Sequence, residues 1–231
     1  KAYPELPDGY DGYARLTHSL PDWELALKRW SEAIIKFPQN ISFQVQKGNV
    51  LINLSRLDEA EAVFQQLKEK YPNKPQGYER YAALTHKIPN WELALERWSE
   101  AVALFPNNIN FQVHKGNALI KLSQKVAKEL IAMGRFAEAE EKFREALQID
   151  PNNLTVLLQA GILASQQGNR ELALERFERT IDFYHPQKAI DAYILAATEL
   201  KYLGRDLEAE GKYEQILSFH QQRGLYPEVK L

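Results

Sequence analysis

The amino-acid sequence predicts an all-α solenoid, a stack of helix-turn-helix units. Two observations carry that prediction. The stretch Gly9–Ser55 is written out again at Gly77–Ser123, so that Trp23 recurs as Trp91, Trp30 as Trp98, His18 as His86, and Gly48/Asn49 as Gly116/Asn117. Roughly two-thirds of the aligned positions are identical, which marks a duplication and not a shared helical bias. The offset between the copies is 68 residues, twice the length of a helix-turn-helix repeat of about 34 residues. The function question is therefore what a stack of helix pairs can bind.

Residues 1–8 are Pro-rich and read as extended, since each proline removes a donor and disfavours helix in the residue before it. The first helix is expected to start near Gly9, with Tyr10, Tyr13, Ala14 and Thr17 at helical spacing, and to stop before Pro21. Asp22 is a good N-cap for the second helix, whose Trp23, Ala26, Leu27, Trp30, Ala33 and Ile34 recur in steps of three and four, and Pro38 ends it. Repeat 1 then spans 9–40, repeat 2 spans 41–74 and repeat 3 spans 75–108.

These residues resemble the tetratricopeptide repeat family. Its pattern of large and small positions is met by Tyr10, Tyr13, Ala14, Thr17, Ala26, Trp30, Ala33 and Pro38 in the first unit. Gly48, Leu51, Ala60, Phe64, Leu67 and Pro72 meet it in the second, with Gln44 and Lys47 departing from it. The third unit repeats the first through Tyr78, Tyr81, Ala82, Thr85, Ala94, Trp98, Ala101 and Pro106. Small residues let paired helices approach and large ones fill the space beside them. The resemblance implies a right-handed superhelix.

The fourth unit, 109–124, begins through Phe111, Gly116, Leu119 and Leu122 and then breaks register. The next stretch, 125–153, is a complete unit of its own, through Ala127, Leu130, Gly134, Ala139, Phe143, Ala146 and Pro151. Either one long helix runs from about Ile109 to Ala132, or a stretch belonging between Gln124 and Lys125 is missing. An offset of 11 residues is close to three helical turns and would keep the buried stripe in phase. The abrupt stop of the copy favours the missing stretch. Repeats 6 and 7 come after it at 154–187 and 188–220, and the tail 221–231 lacks a polar capping helix. With a chain that starts at Lys, this suggests a piece of something longer, or an end covered by a partner.

Composition narrows the partners. Lys+Arg of 29 against Asp+Glu of 31 leaves a net charge of -2, so no global field selects nucleic acid or an anionic membrane. No cysteine is present, which excludes thiolate zinc sites and a Cys nucleophile, and no run approaches a membrane span. No Gly-rich phosphate loop, Ser-His-Asp set or supported carboxylate pair stands out, so no catalysis, cofactor or metal site is expected of this segment. A cytoplasmic location is the expectation.

The resemblance implies that first helices line a concave face where peptides lie. Residues spaced three, four and three apart share one helix face. In repeat 2 these are Ser42, Val45, Asn49 and Ile52, and in repeat 4 Asn110, Val113, Asn117 and Ile120. Repeat 1 gives Asp8, Asp11, Arg15 and His18, and repeat 3 gives Gln76, Glu79, Ala83 and His86. The candidate groove residues are Asn49, Asn117, Val45, Val113, Ser42, Asn110, His18, His86, Arg15 and Glu79. Asn49 and Asn117 lead, because a carboxamide matches the C=O and N–H of an extended peptide. The chaperone-tail clamp of this family needs Lys where this chain has Asp11, Val45, Glu79 and Val113, so that ligand is not expected.

His18 and His86 read as structural closures of a first helix, without a HExxH or paired-His motif, and His114, His185 and His220 carry no assignment. Trp30 and Trp98 read as core, Trp23 and Trp91 as packed but partly exposed, and the run Lys115, Lys121, Lys125, Lys128 as a solvated face. The function expected is a protein-interaction scaffold for an extended segment or partner helix. A second reading is a non-catalytic module of a larger enzyme, since the GY..YA.LTH...W.LAL.RW style resembles helical modules attached to bacterial glycosyltransferases of surface polysaccharide synthesis. A third is self-association through uncapped solenoid ends.

Overall fold

The structure is a computed structural model and describes residues 6–19, 22–88 and 90–222. The described residues are helices joined by short turns, and they divide into two compact units, Lys1–Ala118 and Leu119–Leu231.

The first unit holds α1 (Pro7–Ser19), α2 (Trp23–Lys36), α3 (Ile41–Asn53), α4 (Leu57–Lys70), α5 (Pro75–Ala83), a 3₁₀ turn (Leu84–Lys87), α6 (Trp91–Leu104) and the start of α7 (Ile109–Ala132). The second holds the rest of α7, then α8 (Phe136–Ile149), α9 (Leu154–Gln166), α10 (Arg170–Phe183), α11 (Pro186–Tyr202) and α12 (Asp206–Gln222). Residues 223–231 and most of the segment 1–8 lie outside the described residues, as does the residue expected to stop α1, Pro21.

Side-chain caps set the starts. Asp22 accepts the Leu25 amide at 3.0 Å, Asn90 that of Leu93 at 2.9 Å, and Asn153 that of Val156 at 3.2 Å, each satisfying an amide that the first turn leaves free. Helix α1 starts at Pro7, two residues before the expected Gly9. A proline in the first turn gives up an amide that has no partner there anyway, and Asp8 beside it suits the positive helix end. Glycines at positive φ turn the chain at Gly134, Gly168 and Gly204, and Ser55 takes the same conformation at φ 60.

The cores are layered between neighbouring helices. Trp30 packs with Ala14, Ala26, Ala33 and Phe43; Phe64 with Leu51, Ala60, Leu67 and Leu84; and Trp98 with Tyr78, Ala82, Ala94 and Phe111. In the second unit Phe143 packs with Ala127, Leu130 and Ala139, and Phe177 with Ala164, Ala173 and Ala196. Trp30 and Trp98 are fully buried and Trp23 and Trp91 half-buried.

Residues 109–132 form one continuous helix. Its buried residues, Phe111, Ala118, Ile120, Ser123, Gln124, Ala127 and Leu130, keep a stripe through the register break. Lys121, Lys125 and Lys128 lie exposed on the same helix. Among the described residues no helix is long and apolar enough to cross a membrane.

Candidate functional site

The Asn40 carboxamide accepts the Phe43 amide and so fixes where α3 begins. Phe43, Val50 and Leu51 are then pulled into the core, and the helix turns Ser42 to solvent and leaves Asn49 half-buried. Asn108 caps the Phe111 amide in the same way at 3.3 Å, which turns Asn110, Val113 and Asn117 outward on α7 while Phe111 and Ala118 are buried. Among the described residues no hydrogen bond engages the carboxamide of Asn49, Asn110 or Asn117.

Val45 corrects the expectation for its row. It is 9% exposed and packed with Leu51, Phe64 and Leu84, so it supports the face from beneath. Its copy Val113 is 54% exposed. The difference has a structural cause: Leu84, after α5, helps cover Val45, whereas α7 runs on as one helix where the next helix pair would begin.

The remaining candidates lie around these two rows. Arg15 forms an i,i+4 ion pair with Asp11 on α1, which raises its pKa through the Asp11 hydrogen bond and charge. Glu79 is half-buried on α5. His18 belongs to the last turn of α1, and its side chain lies outside the described residues.

His86 lies in the 3₁₀ turn and is exposed. Its ring centroid is 5.9 Å from that of His114 and 6.4 Å from that of Trp98. His114 stacks on Trp98 at 4.5 Å and 15°. Partial burial, and then the neighbouring His114, lower the His86 pKa from its ordinary 6.5. Sequence reasoning left His114 unassigned, although one signal was present: it stands where the first copy has Gln46, one of the few core-proximal differences between the copies. Among the described residues no group of three or more His, Cys, Asp or Glu could hold a metal ion.

Two family models, both described as tetratricopeptide repeat, match residues 20–75 and 130–192, together just over half of the chain. The mitochondrial import receptor subunit TOM70 of Homo sapiens is 25% identical over 186 residues, covering 78% of this chain and 29% of that protein. Its counterpart in Mus musculus is 26% identical over 130 residues, covering 56% of this chain and 20% of that protein. The chain thus spans less than a third of the length of these curated relatives. A crystal structure of a tetratricopeptide repeat protein from Parabacteroides merdae matches with a TM-score of 0.52 at 17% identity, over 92% of this chain and 79% of that one. That likeness concerns the fold.

Proposed function

We propose that this chain, which belongs to the tetratricopeptide repeat superfamily, is a protein-interaction scaffold that holds an extended polypeptide segment against first helices of its N-terminal unit. The observation that carries the proposal is the row Asn110, Val113, Asn117 on α7. Two exposed carboxamides flank an exposed apolar side chain on a helix whose other face is anchored by buried Phe111 and Ala118.

Each carboxamide offers a donor and an acceptor at the spacing of a peptide group, so it can hold a backbone irrespective of sequence. One such bond contributes about 0.5–1.5 kcal/mol net, so Asn49, Asn110 and Asn117 act together. Val113 adds an apolar contact of its own, and Ser42, Arg15, Glu79 and His86 are further polar candidates on the other first helices and the 3₁₀ turn. Because the helices are fixed by core packing, the scaffold side loses little entropy on binding. The sequence relationship to subunits named as mitochondrial import receptors supports a receptor-like role for the shared segment.

The test is affinity capture from native lysate with the parent chain and an Asn49→Ala/Asn117→Ala variant of unchanged helicity. The expected result is a partner retained by the parent and lost by the variant. An identical set of captured proteins would remove the asparagines from the function.

A further inference from the structure

One difference between the two copies of the duplication falls beside a core tryptophan. The first copy has Gln46 where the second has His114, while both keep the histidine that closes the first helix, His18 and His86. The second copy alone therefore offers two imidazoles at these positions.

His86 and His114 come from separate elements, and core packing holds the backbone of each. Next to His86 in the 3₁₀ turn, Thr85 is 1% exposed and donates to the Ala82 carbonyl at 2.6 Å, and Leu84 is buried against Phe64. On α7, Phe111 and Ala118 are buried with Trp98, and the His114 ring lies flat on the Trp98 indole. The two imidazoles stand 5.9 Å apart, centroid to centroid, with 54° between their planes. Among the described residues no hydrogen bond or ion pair engages either ring, so their nitrogens are left to an outside partner.

That separation suits a shared ion. An ion bound about 2.0–2.1 Å from an imidazole nitrogen lies about 3.2 Å from the ring centre. Two rings on one tetrahedral ion are then about 5.2 Å apart, and at any angle no more than about 6.4 Å. The observed distance lies between these limits. His86 is exposed, so its side chain turns among its rotamers and can close the remaining fraction of an ångström.

The donors select the ion. Two neutral imidazoles suit zinc, copper or nickel, whereas magnesium and calcium take oxygen ligands. Among the described residues no third His, Cys, Asp or Glu joins the pair, so water completes the coordination and the ion exchanges readily.

We propose that His86 and His114 form a two-histidine site for a divalent ion of the zinc class, built only in the second copy of the duplication. The site does not depend on the segment-binding reading, since its ligands and its ion are independent of any polypeptide partner.

Equilibrium dialysis of the chain, free of any affinity tag, against Zn²⁺ up to about 1 mM tests this, the upper end of useful affinity. The expected result is one bound ion per chain. His86→Gln and His114→Gln each weaken the binding by about tenfold or more, because a second ligand held beside the first multiplies the affinity. His114→Gln installs the residue that the first copy carries as Gln46, and unchanged helicity of both variants separates a lost ligand from a lost fold. His185→Gln, on a histidine exposed elsewhere in the chain, leaves the binding as it is. Less than half an ion per chain at 1 mM Zn²⁺ overturns the proposal. So does binding unmoved by either His86→Gln or His114→Gln, or weakened as much by His185→Gln, which marks uptake by single imidazoles.

Discussion

The ring of Phe64 occupies the space that a side chain on Gly48 would need: a Cβ there would lie 2.3 Å from two ring carbons. Phe177 stands in the same relation to Gly161 in the second unit, at 2.4 Å. The close helix pair is thus made by an absent side chain on a first helix and a large one on the second.

That relation inverts the usual effect of alanine in a helix. Gly→Ala in a helix interior ordinarily stabilises by about 1 kcal/mol. Here Gly48→Ala and Gly161→Ala are each expected to destabilise by about 1–3 kcal/mol, because the ring must move out of a packed core. Gly211→Ala on α12, with nothing within 4 Å of the added carbon, keeps the ordinary sign. Urea denaturation of the three variants checks the contrast.

Ser55 holds a left-handed conformation at φ 60, where Gly134, Gly168 and Gly204 stand in equivalent turns. Ser55→Gly is expected to stabilise by up to about 1 kcal/mol, the steric relief exceeding the entropy lost by glycine. Gly168→Ala moves the other way by a similar amount. Thermal melts of both variants decide it.

Glu199 is 2% exposed, accepts from Ser165 Oγ at 2.6 Å and is paired with Arg170 at 3.0 Å. Arg170→Ala leaves a buried carboxylate without its cation and is expected to cost about 2–4 kcal/mol. Adding Glu199→Leu to that variant should recover most of the loss, since an apolar side chain carries no charge to bury. Denaturation midpoints of the single and double variants measure it.

The lowered His86 pKa fixes the sign of one pH effect. The unfolded chain binds a proton near the ordinary 6.5 while the folded chain still resists it, so stability is full above that pH and falls as acid is added through the folded pKa. His86→Gln is expected to flatten this part of the stability profile between pH 7 and pH 5, as read by denaturation at each pH.

Much of the fold was legible because the duplication doubles every signal. Trp30 and Trp98, and Ala26 and Ala94, announce the same helix pair twice, and in the structure Asn90 caps the second copy as Asp22 caps the first. The site was less legible, since equal residues in the two copies meet different neighbours. Val45 and Val113 look alike in sequence, but only Val45 has a helix pair packed over it. Gly116 is half-buried where Gly48 is fully buried, because α7 continues instead of turning back to bring in a counterpart of Phe64. The stacking of His114 on Trp98 depends on a long-range approach that no local pattern encodes.

The most direct test of the binding face is a photo-reactive amino acid placed at Val113, exposed on α7, and in a second chain at Ile35, exposed on the second helix α2. Irradiation in native lysate is expected to join Val113 to a partner, with the yield reduced in the Asn49→Ala/Asn117→Ala background. The same partner should not be joined at Ile35. Crosslinks that form at Ile35 and not at Val113, or a Val113 yield unchanged by loss of the two carboxamides, would contradict an extended segment held on the first helices.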